Sequence, residues 1–486
     1  MKLWKNGFIH TLNEHEIIHN IVTDQGLIVG FNVDERLPYD DVIDLKQNHL
    51  YAGFVDAHLH LIGYGQFLTR MDLSNQYDKK TILKRLYETN KKDLLIVDGY
   101  HESVGIHKID LDQISDTIPI ILRHHDFHAV TTNSVVLNQL KLSSNDGILR
   151  EEASQKVIKQ YTKVSNQTLE YYLETALKSL YQFGITGGHS DDLFYFNGYH
   201  DTLEVFINVL NKMPFRTQLL IHHEVLDDYV NSTYFNHQSP FLELKGIKVF
   251  YDGTMSSKTA LMYDGYQDAL SKGLRTTPNF IEIVKKVRSL GLTLAIHVIG
   301  DQGLDELIDI LTKYPPLKNQ KDRIIHAPWV SEYGMNKLKT IPITIDIQPK
   351  FLSSDFPNAL SIFKKLPPYV FPWKTMLKEG LILSFSSDAP VEVPNPLLGI
   401  LDSTERRAKD GIVYVTDEKI SRKEVILGYT KYANAQNQFF NRGEIKIGYV
   451  ADFSVFTEDL EQVTSALLKS DLVYMTVINE HIVYCK

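Results

Sequence analysis

Cysteine is almost missing from this chain of 486 residues: the single one, Cys485, sits next to the last position. One thiol builds neither a disulfide framework nor a thiolate metal cluster within a chain. Basic residues are not in excess either. With 51 Lys and Arg against 60 Asp and Glu, the formal net charge is −9, which argues against an electrostatic nucleic-acid binder. No run approaches the roughly 18 apolar residues of a membrane span. The opening Met1-Lys2-Leu3-Trp4-Lys5-Asn6-Gly7 lacks the apolar core of a signal peptide. Neither a glycine-rich phosphate loop nor a Ser-His-Asp or Cys-His nucleophile pattern stands out. These absences lead us to expect a soluble, cytoplasmic protein with a small-molecule substrate, and neither nucleic acid nor membrane as a partner.

What is present is ample core material, 43% hydrophobic against 23% charged residues. Both ends of the chain read as short β segments. Residues 2–4, 8–12, 17–22 and 27–31 are β-prone, with Asn6-Gly7 and Gln25-Gly26 as tight turns, and 451–456, 472–478 and 481–484 have the same texture. Two ends of one texture predict a small β-sandwich domain built from residues 1–50 and 436–486. Between them, over 51–435, apolar strand candidates alternate with helical patterns. The strands are 94–97, 118–122, 217–221, 247–251, 292–297, 324–326, 343–347 and 381–386; the helices include 168–183, 279–290, 303–314, 373–378 and 422–435. The helix at 279–290 carries Phe280, Ile283, Val284, Val287 and Leu290 on one face and stops at Gly291. Strand–helix repetition of this length predicts an α/β fold, most economically a (β/α)8 barrel.

Several of these strands end in metal-capable groups. Phe54-Val55-Asp56-Ala57 leads into His58-Leu59-His60, whose two imidazoles, spaced i and i+2, lie on one face of a strand. Lys248 lies in Ile247-Lys248-Val249-Phe250-Tyr251-Asp252-Gly253; His297 ends Leu294-Ala295-Ile296, His326 ends Arg323-Ile324-Ile325, and Asp388 comes after Leu383-Ser384-Phe385-Ser386-Ser387. Strand ends of a barrel surround one mouth, so ligands far apart in sequence meet there.

This set, in this order, resembles the amidohydrolase superfamily, and most closely its YtcJ-like or exoenzyme-regulator-like branch, which includes N-substituted formamide deformylases. The motifs that carry the resemblance are Gly53 through His60, Lys248 through Thr254, His297-Val298-Ile299-Gly300-Asp301, Ser387-Asp388-Ala389-Pro390-Val391 and Gly443 through Asp452. The resemblance implies a metal-dependent hydrolase that cleaves a C–N bond, in an amide or N-substituted formamide, with a metal-activated hydroxide. The same site acting on an ester, carbamate or imine, or a metal-binding regulator without turnover, stays open. It further implies that His58, His60 and Asp388 hold a buried divalent metal, zinc first, and that His297 and His326 hold a second. Lys248 becomes a bridging ligand only as the carbamate formed with CO2, because an ammonium repels a dication. Asp388 is the expected general base. Relatives of this kind are often homodimers.

Arg123-His124-His125-Asp126-Phe127-His128-Ala129 resembles the family's Asp-Gly-His-Ala segment and makes His128 a candidate catalytic, substrate-facing donor. Phe127 replaces the usual glycine there. His189, after Ile185-Thr186-Gly187-Gly188, and Asp252 are expected to bind substrate, Asp252 also as an orienting carboxylate. Asp301 is expected to cap the helix beginning there, His222 and His223 to be solvated at a strand end, and Ile325 and Pro328 to alter the surroundings of His326.

Overall fold

The structure is a computed structural model that describes residues 1–12, 18–89, 94–125, 129–161, 163–436 and 441–486. The chain divides into two compact units, one of Met1–Leu61 with Ala176–Lys486 and the other of Ile62–Thr175.

The first unit is organised around eight parallel strands in sequential order: β1 (Phe54–Leu59), β2 (Ile185–Ser190), β3 (Arg216–His222), β4 (Leu242–Phe250), β5 (Leu294–Val298), β6 (Asp322–His326), β7 (Ile343–Ile347) and β8 (Leu383–Phe385). Nearly every residue of these strands is buried, as expected of a parallel sheet covered on both faces. Beyond β8 the Asp388 N–H donates to His58 O at 2.8 Å and the His60 N–H to Ala389 O at 2.8 Å, which makes the sheet a nearly closed barrel. Its interior is partly polar. Arg323 on β6 donates to Asp346 on β7 and to Gln218 Oε1 on β3 at 2.8 Å, and Ser384 Oγ donates to Asp346 Oδ1 at 2.6 Å.

Six of the strand candidates fall in the barrel. The predicted helix at 279–290 is Phe280–Ser289, with Phe280, Ile283, Val284 and Val287 buried and Gly291 in the left-handed region at φ 68° just past its end. On β4 the pairing with β3 slips between Leu244 and Ile247, where Gly246 has φ 88°. This bulge inserts one residue and re-aims the rest of the strand, so that Lys248 lies opposite His222 of β3.

Two strand candidates are not barrel strands. Leu95–Tyr100 and Ile120–His124 belong to the second unit, in a five-stranded sheet with Ile148–Arg150, Ala129–Thr132 and Met71–Asp72. Leu95, Val97, Ile120 and Leu122 face one apolar cluster, and Ile96, Ile121 and Val130 face another. A strand buried on both faces reads as one apolar run wherever it lies, so the pattern does not reveal its sheet. The strand that fills the gap, β2, contains Gly187-Gly188 and has little β-prone character.

The two ends of the chain share one sheet and a core. One sheet has the order Leu27–Phe31, Ile21–Asp24, Lys2–Lys5, Asp41–Asp44; the other has Phe8–His10, His49–Ala52, Phe453–Phe456, Val473–Ile478, His481–Cys485. Trp4, Ile21, Leu50, Phe453 and Met475 from both sheets meet in one apolar cluster. Gln25 and Gly26, at φ 49° and 78°, close a two-residue hairpin. Asn6-Gly7 instead carries the chain from one sheet to the other.

The bulge makes a direct prediction. Gly246→Ala places a Cβ at a left-handed position and is expected to lower unfolding stability by about 1–2 kcal/mol, read as a lower urea midpoint. An unchanged midpoint contradicts the role given to this glycine.

Candidate active site

All of β1 is buried, and His58 on it is only 1% exposed. His60 lies one residue past the strand end. Its Nδ1 meets the Asp191 carbonyl at 3.0 Å, which makes Nδ1 a donor and turns Nε2 inward. His58 Nε2 and His60 Nε2 each lie 3.4 Å from Asp388 Oδ1. His326 Nδ1 is 2.7 Å from Gln348 Oε1, while Gln348 Nε2 donates to Ser386 Oγ at 2.9 Å and to the Asp346 carbonyl at 3.2 Å. With both donor contacts assigned to its nitrogen, the Gln348 oxygen accepts from His326 and leaves Nε2 of that ring as a lone-pair donor. One ligand atom each from His58, His326 and Asp388 lies within 4.8 Å of the others.

His297 joins the group edge-on to His326, with ring centroids 4.6 Å apart, and its Nε2 is 3.2 Å from Gly253 O. Lys248, 1% exposed, places Nζ 3.3 Å from His58 Nε2 and 3.7 Å from Asp191 Oδ2. The expected ligand residues His58, His60, Lys248, His326 and Asp388 therefore share one cluster, with His297 at its edge. His326 at φ 82° and Asp388 at φ 59° occupy the left-handed region. Such strain, of order 1–3 kcal/mol each, is concentrated at functional sites.

The electrostatics suit a cation. Burial holds the His58 and His297 imidazoles well below their usual range and takes His326 down to about 4, so all three are neutral donors. Burial also lowers Lys248 and so favours its neutral amine. At His60 burial acts downward, but the Asp388 hydrogen bond and charge prevail and carry it up to about 9. At Asp388 burial pushes upward, yet the His60 hydrogen bond prevails and holds the carboxyl below its ordinary range. Inward lone pairs on neutral rings beside an ionised carboxylate form a donor set that fits a divalent transition metal.

The remaining candidates divide. His128 lies outside the described residues. His189 is buried within β2, and the group from that strand end that meets the cluster is Asp191, two residues later. Asp252 is fully buried, and its oxygens accept from the backbone N–H groups of Leu261, Ile299 and Gly300 at 2.8, 2.9 and 2.8 Å. Its carboxylate thus fixes the turn after His297; burial raises its pKa to about 7 despite these donors. Asp301 is the first residue of helix Asp301–Lys313, with Gly300 at the cap, and its Oδ1 accepts from the Tyr263 and Gln302 N–H groups. His222 is buried rather than solvated, stacked on Phe194 with centroids 4.4 Å apart, and burial takes its pKa down to about 4.

Asp191 and Gln348 are the residues that sequence reasoning missed. Asp191 stands in Ser190-Asp191-Asp192 at a strand end, the same position that singled out the histidines. Gln348 comes directly after β7 and supplies the polar partner that Ile325 and Pro328 do not.

The family model for the amidohydrolase family matches residues 41–484, and the chain belongs to that family, a family of hydrolases. YtcJ of Bacillus subtilis is 31% identical over 100% of this chain and 99% of its own. The N-substituted formamide deformylase of Arthrobacter pascens is 23% identical over 51% of this chain and 48% of its own. Among solved structures, that of a metal-dependent hydrolase from Pyrococcus horikoshii, itself described as uncharacterized, covers 96% of this chain and 99% of its own with a TM-score of 0.85 and 24% identity, which establishes the shared fold. No helix among the described residues is long and apolar enough to cross a membrane.

Gln348→Ala is expected to weaken divalent-metal binding by about 10–100-fold, because the His326 tautomer loses its partner. Competition with a chromogenic chelator measures this, and an unchanged affinity contradicts the orienting role.

Proposed function

We propose that this hydrolase cleaves the C–N bond of a small amide or N-substituted formamide at the mouth of the barrel. The observation that carries the reading is the convergence of His58, His326 and Asp388 within 4.8 Å, with His60 and Lys248 against them. The similarity to a formamide deformylase, though partial, favours the C–N bond.

In this reading His58, His60 and Asp388 would hold one divalent cation, zinc by the chemistry of the donors, and His297 and His326 would hold a second. A cation so held lowers the pKa of a water from 15.7 toward about 7 and polarises a carbonyl. Asp388 accepts the proton as the water oxygen bonds to the carbonyl carbon, then gives it to the amine nitrogen as the C–N bond breaks. Lys248 would serve as an anionic ligand only after its neutral amine reacts with CO2, a carbamate forming with loss of one proton. Its burial shifts the balance toward that amine. Asp191 positions both Lys248 through its carboxylate and His60 through its carbonyl. Asp252 positions His297 through the turn it clamps.

An intact general base argues against a regulator without turnover. A panel of N-formyl and N-acyl amines, with matched esters and carbamates, tests the reading on metal-loaded protein. We expect C–N cleavage that is lost on chelation and restored by zinc, and a fall of about 10²–10⁴-fold in kcat for Asp388→Asn. Turnover of esters alone overturns the bond assignment, and full activity of Asp388→Asn overturns the base assignment.

A further inference from the structure

A second group of metal-capable side chains lies in the small sheets, away from the barrel strands. Strand Phe8–His10 runs parallel to His49–Ala52, with Phe8 opposite His49 and His10 opposite Tyr51. Ile9, Leu50 and Ala52 point into the apolar core, so strand alternation sends Phe8, His10, His49 and Tyr51 to the other face. There they form a ladder of rings: Phe8 on His49 at 4.7 Å, His49 on His10 at 5.2 Å and His10 on Tyr51 at 4.3 Å. Asp459 lies just beyond strand Phe453–Phe456, whose last residue pairs with His49.

We propose that His10, His49 and Asp459 form a second binding site for a divalent transition metal, which ties the N-terminal strands to the C-terminal segment. One ligand atom from each lies within 4.8 Å of the others, and all three residues are half-buried, which leaves room for water as further ligands. His10 Nε2 and His49 Nδ1 face each other at 2.9 Å. Two ring nitrogens at that separation share either one proton or one cation. A proton satisfies the two rings and leaves Asp459 outside the arrangement; a cation uses all three groups. The carboxylate is prepared for this. Among the described residues its donors, the Tyr51 O–H at 3.0 Å and the Glu461 N–H at 2.9 Å, both fall on Oδ1, and Oδ2 is left for a metal. The aromatic stacking fixes the ring planes before any ion arrives, so little order is lost on binding. Two imidazoles and one carboxylate select zinc and its neighbours nickel, copper and ferrous iron over calcium or magnesium, which take oxygen ligands.

The test separates this site from the barrel. In a chain carrying His58→Asn and His326→Asn, equilibrium dialysis against Zn2+ is expected to leave one ion per chain by elemental analysis. Adding His10→Asn or Asp459→Asn removes it, together with the rise in Tm that Zn2+ otherwise produces. Cu2+ bound in the same background is expected to show imidazole nitrogen couplings by electron paramagnetic resonance. An ion-free disabled chain, or an ion that survives both added substitutions, overturns the proposal. If the disabled chain does not fold, the wild type against His10→Asn decides: one ion fewer in the variant is expected, and equal content overturns it.

Discussion

The junction between the first and eighth barrel strands is the constraint on which the site depends. Backbone bonds from Asp388 N–H to His58 O and from His60 N–H to Ala389 O bring together two segments from distant parts of the chain. They set the carboxylate of Asp388 equally far, at 3.4 Å, from two imidazoles. Because these bonds run through the same residues that carry the side chains, closing the barrel brings His58, His60 and Asp388 together. The left-handed backbone at Asp388 and His326 is the local cost, and the surrounding ladder holds it in place.

Around that junction polar groups hold His60, His326 and the turn that follows His297. The Asp191 carbonyl fixes His60, the Gln348 amide fixes His326, and the Asp252 carboxylate fixes the turn after His297. The partners come from the ends of different strands, so the nearly closed sheet organises both the clustered side chains and their supports. Burial keeps the imidazoles neutral and Lys248 inclined to neutrality, so the lone pairs that a cation requires need not be freed of protons first. The exception is His60, whose proton is stabilised by Asp388.

Much of this is legible in the chain itself. Strands that end in His58, His60, His297, His326 and Asp388 announce themselves because an apolar run leading to a ligand-type residue is a local pattern. Lys248 is equally visible, but the bulge at Gly246 that aims it is not, since an extra residue in one strand shows only against its partner. The strands Leu95–Tyr100 and Ile120–His124 read as barrel strands although they belong to a separate sheet, because apolar strands carry no mark of their neighbours. Asp191 and Gln348 escape notice because their contacts are tertiary, and Asp252 takes on its clamping role only once the turn at Ile299 and Gly300 has been brought to it.

The central claim is that side chains from the two edges of a nearly closed sheet bind a divalent metal. Anomalous diffraction at the zinc edge, from crystals grown with Zn2+, tests it most directly because it locates the ion rather than counting it. The account predicts a peak within coordination distance, about 2.0–2.2 Å, of His58, His60 and Asp388. A fully loaded crystal with no peak among these three residues contradicts it.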